Sequence, residues 1–111
     1  MYQVGDVVFA LFRFQEGDET KERPTLVLIA DLPADTALVC MITTKSQRFD
    51  TCLELTPDDF LFGAMNEWPS YVRPYRVATI CTSEIRRKLG QAKPEFVEKV
   101  RGMLIKRLAA S

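Results

Sequence analysis

Two arginines in this 111-residue chain each stand directly before a proline, Arg23-Pro24 and Arg73-Pro74, and between them Thr43-Thr44 closes an apolar, strand-forming run. The pyrrolidine ring bars the preceding residue from the helical region, so both arginines are expected in extended backbone at strand edges. Two guanidinium groups and a hydroxyl brought together at strand ends would suit a phosphate. Arginine's planar fork donates two parallel hydrogen bonds to a phosphoryl group, and β-branched threonine holds its hydroxyl in few rotamers. Thr43 and Thr44 point to opposite faces of a strand, so only one of them can share such a site.

The rest of the composition removes competing chemistries. The chain has no histidine, and its three cysteines, Cys40, Cys52 and Cys81, have no C-x-x-C spacing, which leaves too few ligands for a Cys/His zinc site. Those thiols are expected to be reduced and mostly buried as small apolar residues. No apolar run approaches the roughly 18 residues of a membrane span, and the amino terminus lacks the pattern of a secretion signal. A cytoplasmic protein with no membrane association is expected. Net charge is zero, yet residues 1–60 carry 5 Lys+Arg against 11 Asp+Glu, and residues 61–111 carry 10 against 4. Either the fold intermixes these charges, or one side of the surface attracts a phosphate chain.

The elements that must position the arginines follow from periodicity and turn residues. Val7 to Phe14 reads as a strand with apolar side chains on both faces, which requires cover on two sides. A polar connection from Gln15 to Glu22 follows, holding four acidic residues. Pro24 to Ala30 and Thr36 to Ile42 read as two further strands joined by Asp31-Leu32-Pro33-Ala34-Asp35, which completes a meander. Thr51 to Leu55 is expected as a fourth strand, Thr56-Pro57-Asp58-Asp59 as the start of a short helical turn, and Arg76 to Cys81 as a fifth strand. Glu84 to Leu89 has no decisive pattern. Phe96, Val97, Val100, Met103, Leu104 and Leu108 then form one stripe of an amphipathic helix of about 15 residues beginning near Pro94. The expected architecture is one domain over residues 1–111, mainly β with α: a small SH3-like antiparallel β-barrel with a C-terminal amphipathic helix.

Taken in order, Gly5-Asp6-Val7-Val8, Arg23-Pro24-Thr25-Leu26-Val27-Leu28, Met41-Ile42-Thr43-Thr44, Pro69-Ser70-Tyr71-Val72-Arg73, Ala78-Thr79-Ile80 and the closing helix resemble the PemK/MazF family of toxin endoribonucleases. The resemblance runs from Gly5 to about Leu108. It implies the toxin of a type II toxin-antitoxin pair: a homodimeric, metal-independent and cofactor-free ribonuclease that cuts single-stranded RNA at preferred sequences by 2′-OH attack. Such a cut leaves a 2′,3′-cyclic phosphate and a 5′-OH end. The implied partners are RNA, a cognate antitoxin and, only through the antitoxin complex, operator DNA.

By the same resemblance the catalytic positions fall on Arg23, Thr43 and Arg73. Ser70, Thr44, Tyr75 and Arg76 are candidate RNA contacts. Some family members carry an aspartate two residues after the later arginine as the proposed base, whereas this chain has Tyr75. That departure, together with the acidic first loop, keeps open a non-catalytic dimeric module of the same barrel class that binds nucleic acid or protein. Trp68 and Tyr71 are candidates to stack on a base, though core or interface packing is the commoner fate of aromatics.

Overall fold

Val7 and Val8 are both fully buried, on opposite faces of the first strand, and this double burial organises the fold. The computed structural model describes residues 2–13, 20–45 and 51–110. Its strands are β1 (Asp6–Arg13), β2 (Thr20–Leu32), β3 (Thr36–Thr43), β4 (Leu53–Leu55), β5 (Phe60–Gly63), β6 (Ser70–Cys81) and β7 (Ile85–Ala92), followed by the helix α1 (Pro94–Ala109). All pair antiparallel in one sheet of order β4-β6-β3-β2-β1-β7-β5, a curled half-barrel with the helix at its end. The expected meander is present as β1, β2 and β3.

Alternation along the central strands sends side chains into two apolar clusters. Val7, Leu26, Cys40, Ile42 and Val72 face α1 and meet its Phe96, Val97 and Val100. Val8, Ala10, Val27, Val39 and Met41 face the other way and pack with Ile80 and Ile85. Both faces of β1 are thus covered within the chain itself.

Several expectations need correction. The strand expected from Thr51 begins at Leu53. The strand beginning at Pro24 starts earlier, at Thr20, and the strand beginning at Arg76 starts at Ser70. Proline did not end either one, because each sits where the pairing to β3 is already interrupted. β5 and β7 were not anticipated as strands. In α1 the apolar stripe is buried through Val100 and half-buried at Met103 and Leu104, but Leu108 is 67% exposed because the helix outruns the sheet beneath it. Phe14 and residues 15–19 of the acidic connection lie outside the described residues. The short turn at Pro57–Asp59 forms as read, with the Thr56 N–H and hydroxyl both donating to Asp59 Oδ2, at 2.8 and 2.9 Å.

The cysteines differ from one another. Cys40 is fully buried, and desolvation pushes its thiol up to about 12, whereas Cys52 is half-buried and Cys81 exposed. The expectation of mostly buried thiols therefore holds for Cys40 alone. An alkylating reagent at mildly alkaline pH is expected to modify Cys81 in the native protein and Cys40 only after denaturation; mass mapping of the adducts checks this.

Candidate active site

The β2–β3 ladder ends at the pair Thr25–Met41, and a cavity of about 220 Å³ opens beyond that end. Its walls include Arg23 and Pro24 from β2, Ile42, Thr43 and Thr44 from the end of β3, and Phe9 from β1. The connection between β5 and β6 contributes Met65, Asn66 and Glu67 from above. Continuing the ladder register by two residues sets Arg23 opposite Thr43, so the cavity gathers the first arginine and the threonine by strand geometry alone.

Both Arg-Pro pairs are extended, as their chemistry requires, but they lie in interior strands rather than at the sheet's edges. Pro24 falls just past the end of the β2–β3 ladder. Pro74 falls in a bulge: Cys40 pairs with Val77 and Met41 with Arg73, which leaves Pro74, Tyr75 and Arg76 without ladder partners on β3. A missing N–H is tolerated at such interruptions, so proline needed no sheet edge.

Thr43 is half-buried, and its Oγ1 accepts the Lys45 N–H at 3.2 Å. Because a hydroxyl also has one hydrogen to give, this bond orients the oxygen and leaves the hydrogen for an incoming acceptor. Arg23 is half-buried, with Nε shielded from solvent. Thr44 is exposed and lines the same cavity. Arg73 is not among the lining residues. It pairs with Met41, while Thr43 pairs with Tyr71, so Arg73 stands on Thr43's face one diagonal step away. Cβ atoms in that relation lie about 7–8 Å apart, within reach of a long side chain.

The remaining candidates are placed elsewhere. Ser70 is fully buried, and its hydroxyl donates to the Glu67 carbonyl at 2.7 Å, so it shapes the lip of the cavity from behind. Tyr75 lies under the Arg107 guanidinium, 5.1 Å from the ring centroid, and is therefore turned toward α1. Arg76 is half-buried in the bulge. Tyr71 is half-buried, and Trp68 is exposed yet packs edge-on against Phe60 with ring centroids 6.2 Å apart.

The fold partly intermixes the two halves of the charge sequence. Lys88 approaches the fully buried carboxylate of Asp6 at 3.1 Å, and Arg86 lies 3.6 Å from Glu22, a residue of the cavity wall. Arg87 covers the ring of Phe9 at 5.4 Å, so basic residues of β7 border the cavity on its β1 side. A wider cleft of about 620 Å³ lies at the far end of β2 and β3, lined by Asp31, Asp35 and Tyr2 among others and, among the described residues, by no basic side chain.

Sequence reasoning missed Phe9, Met65, Asn66 and Glu67 as parts of the site. The first reads as core and the others as loop, and their approach depends on the unanticipated β5–β7 pairing. The arrangement can hold a phosphodiester through a cation and an oriented hydroxyl, with carboxylates nearby.

The fold has counterparts among known proteins. The family model described as PemK-like, MazF-like toxin of type II toxin-antitoxin system matches residues 3–108. No match was found among curated proteins. Similar solved structures include an endoribonuclease in complex with its cognate antitoxin from a mycobacterial species, with 18% identity, TM-score 0.72 and coverage of 100% of this chain and 98% of that one. Another is a MazE-MazF structure from Deinococcus radiodurans, with 20% identity, TM-score 0.72 and coverage of 99% and 97%. MazF alone from Deinococcus radiodurans gives 20% identity, TM-score 0.73 and coverage of 97% and 96%. These likenesses establish the fold, and the family match over nearly the whole length establishes the lineage: the chain belongs to the PemK-like, MazF-like toxins of type II toxin-antitoxin systems.

Proposed function

We propose that this toxin is a metal-independent endoribonuclease that cuts single-stranded RNA by attack of a ribose 2′-OH on the adjacent phosphorus, leaving a 2′,3′-cyclic phosphate and a 5′-OH end. The observation that carries the reading is the shared cavity of Arg23 and Thr43 at the end of the β2–β3 ladder. Arg23 clamps the equatorial phosphoryl oxygens, and Thr43, oriented through Lys45, donates its hydroxyl to the same group. Arg73 reaches the phosphate from its diagonal position and shares the developing charge. Thr44 contacts the flanking nucleotide.

The working form is a homodimer that a cognate antitoxin silences. The solved relatives include complexes with an antitoxin. Ile105 and Leu108 at the end of α1 are among the exposed apolar residues available for such a contact.

Purified protein is expected to cleave single-stranded RNA in the presence of EDTA and to yield fragments whose 5′ ends accept phosphate from a polynucleotide kinase without prior dephosphorylation. Uncut RNA would refute the reading. A second reading, a module that binds RNA or an antitoxin without cutting, is favoured by Tyr75, which is engaged with Arg107 and offers no carboxylate at that position. It predicts a stable RNA complex and no new ends.

A further inference from the structure

We propose that Tyr71 and Glu54 form a nucleobase subsite beside Thr43: the base of a nucleotide adjoining the scissile phosphate stacks on the Tyr71 ring, and the Glu54 carboxylate accepts hydrogen bonds from its edge. This rests on the nuclease reading above and supplies what that reading leaves open, the base recognised next to the cut.

Strand register places the two residues. Thr43 of β3 pairs with Tyr71 of β6, and Tyr71 pairs on its other side with Glu54 of β4. Continuing the β2–β3 ladder sets Arg23 on the opposite flank of Thr43. Arg23, Thr43, Tyr71 and Glu54 thus make one cross-strand row, each step a strand spacing of about 4.8 Å. Alternation puts all four on one face. Their chain neighbours Ile42, Val72, Leu53 and Leu55 pack in the cluster under α1. Ala10, which pairs with Arg23, and Met41, two residues before Thr43, belong to the other cluster, so the row projects away from the helix. Directly opposed Cβ atoms lie about 4.5–5.5 Å apart, which sets the Tyr71 ring beside the Thr43 hydroxyl. Arg73 shares the face and is diagonal to both Thr43 and Glu54.

Tyr71 is half-buried and Glu54 exposed, so the ring is held by its neighbours yet keeps a surface for a ligand, and the carboxylate is open to it. Trp68, the other aromatic near this strand, instead turns its ring to Phe60, a member of the cluster under α1. A ring standing on a sheet face stacks on unpaired bases of any kind, so Tyr71 supplies affinity without choice. Choice comes from Glu54. An ionised carboxylate has two acceptor oxygens and no donor. Guanine presents its ring N–H and its amino group side by side, which fits both oxygens. In adenine and cytosine the amino group adjoins an acceptor nitrogen, and in uracil the ring N–H lies between two carbonyls. A carboxylate repels these acceptors, so the row selects guanine. Arg73, standing between the phosphate and Glu54, offsets the repulsion of the two anions.

The wild type is expected to cut a randomised single-stranded RNA pool with guanine enriched at one position adjoining the new ends, read by sequencing the 5′-OH fragments. Glu54→Gln, which keeps the size and adds a donor, should lower that enrichment at least about tenfold. Tyr71→Ala should weaken binding of a non-cleavable RNA, with 2′-deoxyribose at the scissile position, by about 10–100-fold, and Tyr71→Phe should restore it. Replacing the selected guanosine by an abasic nucleotide should cost the wild type a similar factor and Tyr71→Ala almost nothing more, a coupling that a merely structural ring would not show. A wild type that cuts without guanine enrichment beside the cut, or a Tyr71→Ala variant as sensitive to the abasic site as the wild type, overturns the subsite and leaves the nuclease reading intact. A wild type that binds RNA but never cuts it overturns both.

Discussion

Arg23→Ala is expected to reduce RNA cleavage about 10²–10³-fold, the usual cost of losing one preorganised donor to the charge that develops in the transition state. The fold is expected to be retained, because Arg23 is half-buried and its backbone pairing with Ala10 of β1 does not require the guanidinium. Circular dichroism melts of the variant beside the wild type check that. Arg23→Lys separates charge from geometry: it keeps the cation and loses the fork, so most of the defect should persist. Arg73 provides the sharper comparison. If both guanidinium groups hold one phosphate, Arg23→Ala and Arg73→Ala combined should cost clearly less than the product of the single losses. Strict multiplication of the two effects would place Arg73 on a separate part of the RNA.

The largest stability effect is expected at Gly90. Gly63 and Gly90 pair directly where β5 crosses β7, and a Cβ added at Gly90 would collide with the Phe62 carbonyl oxygen and lie 2.9 Å from the Gly63 Cα. These are backbone atoms, which cannot swing aside as a side-chain tip can. Gly90→Ala is therefore expected to destabilise the protein by about 3 kcal/mol. The fall in Tm would be roughly 10 °C or more. Gly63 has the additional constraint of φ 79°, a region that side chains disfavour. Gly102, exposed on α1 with no neighbour near its Cβ position, supplies the control: Gly102→Ala should stabilise by about 0.5–1 kcal/mol. Thermal melts of the two variants should therefore move in opposite directions. If Gly90→Ala melts like the wild type, the close crossing of β5 and β7 is wrong.

The sequence made the central strands and the first half of the site legible because their signals are local. A proline fixes its predecessor, a β-branched run marks β3, and Thr43 is found by counting to the end of that run. β7 was not legible for a different reason. Its Arg86, Arg87 and Lys88 look like solvated loop residues until Glu22, Phe9 and Asp6 arrive from β2 and β1 to receive them. β5 is four residues long and ends in glycine, so it has meaning only beside β7. Glu67 inherits that difficulty, since its position depends on where β5 delivers the chain. Ser70 was noticed for its hydroxyl, but the same hydroxyl is committed to a carbonyl, and only coordinates reveal which of two uses a buried serine has.

The bulge at Pro74–Tyr75–Arg76 splits β6 into two stretches that keep separate registers on β3. Because side chains alternate at every residue, losing one residue from this segment would rotate the stretch before it by half a turn if the later stretch stayed in place. Val72 would then be carried out of the apolar interior, and Arg73 and Tyr71 into it. Substitutions at Tyr75 and Arg76, both half-buried, should accordingly be tolerated by the fold better than any change in the number of residues in the bulge.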